Sequence, residues 1–178
     1  MPVAGELYAA STESILLAEI VGGPVGFESL DLTAPVYERR FALSDVLLAH
    51  RVRPDTAETT AAALPVGYVR RRGRAILPAA DAAFDRATPF FTYFEVYGLT
   101  AGAGGATAFE VETTLSPESG TGERISTAFT VTGRTSTDAY AGRLDAAALP
   151  AGRYRLHLRV RDAATGQTVE TTRALALR

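Results

Sequence analysis

The stretch 153–161, near the end of the chain, constrains the fold more than any other. Apolar side chains at Tyr154, Leu156, Leu158 and Val160 alternate with arginine or histidine. A period of two places successive side chains on opposite faces of a β-strand, one toward a core and one toward water. Residues 162–166 read as a turn, and a second strand-like segment follows at 167–177. The pattern therefore predicts a hairpin packed against a core on one face.

Similar segments recur along the chain, separated by clusters of Gly, Pro, Ser and Thr. This spacing predicts an all-β protein, an immunoglobulin- or fibronectin-like β-sandwich with Greek-key connections and an extra N-terminal hairpin. Segment 14–21 also permits a helix, and residues 79–86 could form a short helical turn. The predicted strands are 14–21, 25–33, 41–52, 67–77, 89–99, 106–115, 123–133, 137–145, 152–162 and 167–177.

The chain of 178 residues is long enough for one sizeable domain and a fragment. We expect the sandwich to occupy residues 38–178. Residues 1–37 are too short to form a domain, and are either an accessory hairpin or the remnant of a preceding module. The predicted inward side chains are Leu43, Phe94, Val96, Phe109, Val111, Phe129, Val131, Tyr154, Leu156, Leu158 and Val160.

Composition excludes several classes of function. The absence of cysteine excludes disulfides and thiolate metal sites, and a net charge of −2 gives no general attraction to nucleic acid. No apolar run reaches the roughly 18 residues that span a membrane, so we expect no membrane insertion. Residues 1–30 contain no visible signal peptide, which leaves open a removed leader, a longer parent protein or a cytosolic one.

The candidate binding residues lie on the strand predicted at 89–99. Phe91, Tyr93 and Tyr97 share one face around Glu95. Aromatic rings on an exposed sheet can stack on sugars or anchor a protein partner. If another layer covers this face instead, Glu95 needs a buried partner, for which arginine is the best candidate.

Two groups of arginines invite a binding role and also have a simpler interpretation. The cluster at 70–74 is expected to be a solvated sheet edge whose charge blocks edge-to-edge pairing, although it could bind an acidic group. The arginines at 153, 155, 159 and 161 are expected to pair across strands with Glu110 and Glu112. An anion-binding groove is the alternative.

Catalytic chemistry has little support, and we expect no catalytic residues, no metal site and no cofactor. His50 and His157 are the only histidines, and no serine lies in a Gly-x-Ser-x-Gly turn. Asp81 and Asp85 could share one helical face, but without a calcium-loop pattern they are expected to lie in a surface turn.

Three local patterns together resemble one protein family. They occupy residues 43–49 (LSDVLLA), residues 89–99 (PFFTYFEVYGL) and residues 149–166, from LPAGRY to the Thr-Gly turn. They are similar to the β-sandwich portion of bacterial exported proteins of the Gly-Trp-x-Thr-Asp (GWxTD) domain type, over residues 41–178. The chain contains no Trp, so the namesake motif is absent. The resemblance implies export and no established catalytic residues.

The sequence therefore predicts a non-catalytic structural or protein-interaction module of an exported bacterial protein, periplasmic, extracellular or on the cell surface. Assembly with a protein partner or with itself would use strand or edge pairing. Strand exchange through residues 14–33 is one version. The alternative is a carbohydrate-binding module that uses the aromatic row.

Overall fold

The computed structural model describes residues 12–19, 26–33, 40–55 and 65–178, the first two ranges as backbone alone. The described residues form strands and turns and contain no helix. The chain divides into two compact units, residues 1–40 and 41–178. The strands are β1 Thr12–Glu19, β2 Gly26–Thr33, β3 Ala42–Leu43, β4 Leu47–Pro54, β5 Val69–Arg71, β6 Arg74–Pro78, β7 Ala83–Phe84, β8 Phe90–Tyr97, β9 Thr107–Pro117, β10 Ile125–Gly133, β11 Asp138–Leu144, β12 Gly152–Asp162 and β13 Thr168–Leu177.

The first unit contains an antiparallel hairpin of β1 and β2, with Thr12 opposite Thr33 and Glu19 opposite Gly26. The strand interpretation of the first segment is therefore correct and the helical one is wrong. The turn predicted at residues 22–24 lies outside the described residues. The domain boundary expected after residue 37 falls near the division between the two units.

The second unit consists of two packed sheets. One has five strands in the order β10-β9-β12-β13-β7, and the other has the order β11-β8-β4-β6-β5, with β3 also paired to β8. Phe94 and Val96 from the six-stranded sheet pack against Phe109 and Leu158 from the five-stranded sheet. The two sheets thus bury one shared apolar layer, the arrangement of a β-sandwich.

The predicted closing hairpin is confirmed. β12 pairs with β13 and also with β9, and its alternate side chains Tyr154, Leu156, Leu158 and Val160 are buried. Asp162 ends the strand with a buried carboxylate that accepts hydrogen bonds from the backbone N–H of Ala164 at 2.8 Å and of Thr100 at 3.0 Å. These bonds hold the turn that returns the chain into β13 and attach it to the loop after β8.

β8 is buried on both faces, as its two apolar phases predict. Phe90, Phe94 and Val96 point into the sandwich, and Tyr93 and Glu95 on the opposite face are 2% exposed. The strand is central because β11 pairs with one side of it while β3 and β4 pair with the other. The outer face carries its own apolar cluster, in which Tyr93 packs with Ala49 and Ile76.

Four sequence predictions need correction. Segment 41–52 forms two strands, β3 and β4, rather than one. Phe129 faces inward opposite Val111 but is 51% exposed, because β10 is the edge of its sheet. Segment 67–77 is a hairpin, since Arg72 and Gly73 adopt positive φ values of 42° and 67° between β5 and β6. Residues 79–86 form a turn and the short strand β7, which pairs in parallel with the end of β13.

Candidate functional site

The predicted aromatic row lies on the outer face of the six-stranded sheet, and the structure brings its polar ends together. The Tyr97 hydroxyl donates to Glu95 Oε2 at 2.7 Å, and the Tyr93 hydroxyl donates to Oε1 at 3.3 Å. Backbone bonds fix the position of Glu95, because its N–H donates to Ser44 Oγ and its carbonyl accepts from the Ser44 N–H, each at 2.9 Å.

Two arginines complete the group, here called the Glu95 network (Glu95, Arg71, Arg72, Tyr93 and Tyr97). Arg71 Nε lies 2.6 Å from Glu95 Oε1, and Arg72 Nε lies 2.9 Å from Oε2. The prediction that a buried Glu95 needs an arginine is confirmed. Both arginines belong to the cluster predicted as a solvated edge, and the positive-φ turn at Arg72 lets consecutive side chains converge on one carboxylate.

The network keeps Glu95 ionised and both phenols neutral. Burial acts to raise the pKa of Glu95, but hydrogen bonds from Arg72 and Tyr97 and the charges of Arg71 and Arg72 outweigh it and lower that pKa below its ordinary 4.5. Burial, together with the neighbouring carboxylate, raises the pKa of Tyr93 and of Tyr97 to about 12. Every partner therefore favours a charged, saturated carboxylate rather than a free acid or base.

This arrangement leaves little surface for sugar stacking. The Tyr93 ring is 2% exposed, and Phe91 and Tyr97 are half-buried. A stacking platform needs the face of a ring in solvent, which Tyr93 does not offer. Arg71 and Arg72 instead connect the β5–β6 hairpin to Glu95 on β8.

The second charged group lies on the outer face of the five-stranded sheet. Arg159 contacts Glu112 and Glu170, each at 3.3 Å, and Arg161 contacts Glu110 at 3.2 Å. We call these five residues the Arg–Glu ladder. The predicted pairing with Glu110 and Glu112 is confirmed for Arg159 and Arg161, whereas Arg153 and Arg155 contact Glu118 instead. These pairs neutralise the charges that an anion site would need.

The histidines lie apart. The His50 ring meets the edge of Phe84 at 5.2 Å between centroids, and His157 Nε2 lies 3.3 Å from Glu170. Within residues 40–55 and 65–178, no three His, Asp or Glu side chains are placed to hold a metal ion.

The two aspartates proposed for a surface turn cap backbone N–H groups there. Asp81 Oδ1 accepts from Ala83 at 3.2 Å, and Asp85 Oδ1 accepts from Ala87 at 2.9 Å. The prediction of a turn is confirmed.

A groove of about 560 Å³ lies between the loop after β9 and the start of β12. Pro117, Pro150 and Tyr154 form its apolar lining. The carboxylate of Glu118 in its wall is already held by Arg153 at 3.0 Å and by Arg155 at 3.6 Å. The groove thus offers an apolar surface beside the paired Glu118 and the carboxylate of Glu123, which also lines it.

The surface that sequence reasoning missed is the edge strand β10. Its sequence, ISTAFTVTG, has nine residues and no charge. In the described sheets β10 has a neighbour on one side alone, so backbone groups along its other side remain unpaired. The run without Asp, Glu, Lys, Arg or Pro was the available signal, since natural edge strands usually carry one of these.

No helix in the described part of the chain is long and apolar enough to cross a membrane. Comparison of the sequence with protein-family models and with curated proteins gives no match.

Proposed function

We propose that residues 41–178 form an immunoglobulin- or fibronectin-like Greek-key sandwich that serves as a non-catalytic interaction module of an exported bacterial protein. In this proposal the module binds an extended partner strand along β10. The single observation that carries the proposal is an uncharged edge strand of nine residues with a half-exposed phenylalanine at its centre.

The order of the strands supports the proposed fold type. β4 and β8 lie in one sheet, β9 and β10 in the other, β11 in the first again, and β12 and β13 in the second. Immunoglobulin-like domains show the same alternation: strands A and B lie in one sheet, C in the other, E in the first again, and F and G in the second. The Tyr154 hydroxyl donates to the Pro150 carbonyl at 2.8 Å at the start of β12, as in a tyrosine corner.

The other sheet edges support the choice of β10. β5 has three residues, two of them arginines, and β11 carries Asp138 and Arg143. β13 carries Glu170 and Arg173, and β7 covers its last residues. Charged or short edges resist the addition of a strand, because a partner would have to bury or displace those charges. Among the described residues, β10 carries no charge and no strand covers its free side.

Hydrogen exchange on the full chain tests this proposal, with a synthetic peptide of alternating threonine and valine as the probe. We expect the peptide to slow amide exchange in residues 125–133, because strand addition pairs the free backbone groups. Thr130→Lys should abolish this protection and leave the melting temperature unchanged, because Thr130 is exposed. The matched control is Thr172→Lys on β13. With the chain dilute enough to be monomeric, protection at β5, β11 or β13 instead of β10, or at none of them, would refute the proposal.

A further inference from the structure

The centre of β10 carries an apolar side chain that the sandwich does not cover. Phe129 lies opposite Val111, and Val131 lies opposite Phe109, so both face the interior. Val131 packs against the core, but the Phe129 ring is 51% exposed and has Tyr140 on β11 as its aromatic neighbour at 6.4 Å. An exposed ring beside unpaired backbone groups is a surface that an added strand would cover.

The sequence of β10 is complementary to itself in antiparallel pairing. If Phe129 lies opposite Phe129 of a second copy, Thr127 lies opposite Val131 on the same face. On the other face Ala128 lies opposite Thr130, and Ser126 lies opposite Thr132. None of these pairs contains a charge, and aromatic and β-branched pairs stabilise adjacent strands. A shift of the pairing register by one residue would place Phe129 opposite Thr130 of the partner. The interior face of one sheet would then continue into the outer face of the other.

We infer that β10 pairs antiparallel with β10 of a second copy of this chain, about a two-fold axis at Phe129. The inference rests on the proposed function, since it names the partner strand. Such an isologous contact joins two five-stranded sheets into one and closes on itself. It buries little more than one strand and two phenylalanine rings, which is below the area of a standard stable interface, so the dimer is weak and exchanges with monomer.

The residues beyond the ends of β10 set the salt dependence of this dimer. Arg124 and Arg134 flank the strand and are exposed, and the two-fold register brings Arg124 of each copy toward Arg134 of the other. Like charges that face each other across strands repel, and added salt screens them. The exposed Glu123 beside each Arg124 offsets part of this repulsion, so the dimer should tighten only slightly as the ionic strength rises.

Analytical ultracentrifugation over a range of concentrations tests the inference on the full chain. We expect a monomer–dimer equilibrium that Phe129→Lys weakens by about tenfold or more, because it places like charges opposite each other on the axis. Thr130→Lys should also weaken the dimer, and it should leave the fold intact because Thr130 is exposed. Thr172→Lys on the opposite edge should leave it unchanged.

The absence of native cysteine allows a direct test of the register. Phe129→Cys should form a disulfide-linked dimer under mild oxidation, because residue 129 lies opposite itself on the axis. Ala128→Cys and Thr130→Cys should crosslink with each other in a mixture much more than either does alone.

The outcomes separate this inference from the proposed function. A monomer at every concentration, with the threonine–valine peptide still protecting β10, would overturn the dimer and leave strand binding intact. A monomer without peptide protection would overturn both. A dimer that persists in Phe129→Lys and Thr130→Lys would use another surface, and would also overturn the inference.

Discussion

The Glu95 network and the Arg–Glu ladder are built from the same kinds of ion pair on the outer faces of two sheets, but they differ in burial. The side chains of Glu110, Glu112 and Glu170 are 43%, 54% and 51% exposed, and that of Glu95 is 3% exposed. Water reaches the ladder carboxylates and can replace a lost arginine there. In the Glu95 network two arginines and two tyrosine hydroxyls replace water around the carboxylate, so loss of the arginines leaves a charge that the tyrosines only partly satisfy.

The contribution of an ion pair to the stability of this protein is therefore expected to follow the exposure of its carboxylate rather than the distance between the charged atoms. Exposed pairs contribute about 0–1 kcal/mol each, whereas leaving one member of a buried pair without its partner costs about 3–5 kcal/mol.

The extreme case is a buried carboxylate without partners. Leu158 is 1% exposed in the core, and Leu158→Asp should destabilise the protein by about 5 kcal/mol or more, enough to unfold a marginal domain. Thermal unfolding followed by circular dichroism measures the effect, with Thr172→Asp on the exposed face of β13 as the control. An unchanged melting temperature would mean that the inward face of β12 is misassigned.

Removal of both arginines from the Glu95 network should have the next largest effect. Arg71→Met together with Arg72→Met keeps aliphatic length but leaves Glu95 with its tyrosines. The expected cost in urea unfolding is about 1–3 kcal/mol, below that of a fully buried pair, because the two arginine side chains are themselves 60% and 46% exposed. Adding Glu95→Gln to this variant should restore part of the loss, because it removes the unpaired charge. The matched control, Arg159→Met with Arg161→Met, should cost less than about 1 kcal/mol per pair. Equal losses of stability in the two double variants would show that the Glu95 network and the Arg–Glu ladder do not differ in strength.

Acidification should weaken the Glu95 network by a smaller amount, because protonation leaves a neutral acid rather than an unpaired charge. The folded-state pKa of Glu95 lies below the ordinary 4.5, so this contribution is complete above 4.5 and is lost as pH falls through the folded pKa. Wild type should therefore lose stability more steeply than Glu95→Gln below pH 4.5. The pKa of Asp162 is also lowered, but Asp162 is present in both proteins, so its contribution cancels in the difference between their pH profiles. Parallel pH profiles would contradict the expectation.

The smallest effect should come from the ladder. Glu112→Gln removes one exposed pair with Arg159 and should cost less than about 1 kcal/mol, a difference that high salt removes. Urea unfolding at low and high ionic strength measures it. A larger loss of unfolding free energy that persists at high salt would show that the ladder, like the Glu95 network, is shielded from solvent.

Strand periodicity predicted much of the fold. The alternation in β12 correctly predicted its buried face, and the two apolar phases of β8 correctly predicted burial on both sides. Register and edges were less predictable, because they depend on which strands become neighbours. Phe129 satisfied the inward pattern, yet its edge position leaves half of the ring exposed.

The candidate site was predicted in part. The grouping of Tyr93, Glu95 and Tyr97 follows from alternation along one strand, and the need for an arginine follows from the cost of a buried charge. The sequence could not identify Arg71 and Arg72 as the partners. Their contact with Glu95 spans more than twenty residues of sequence and depends on the turn at Arg72 and Gly73.

Most strands and their apolar faces follow from the sequence, because both depend on local periodicity and side-chain chemistry. The exceptions are segments 41–52 and 67–77, which each form two strands, and residues 79–86, which include β7. Packing, by contrast, encloses Glu95 while Glu112 remains in water, and it leaves β10 without a second neighbour among the described strands. These properties depend on the neighbours that packing supplies, and no local pattern records which strands those neighbours will be.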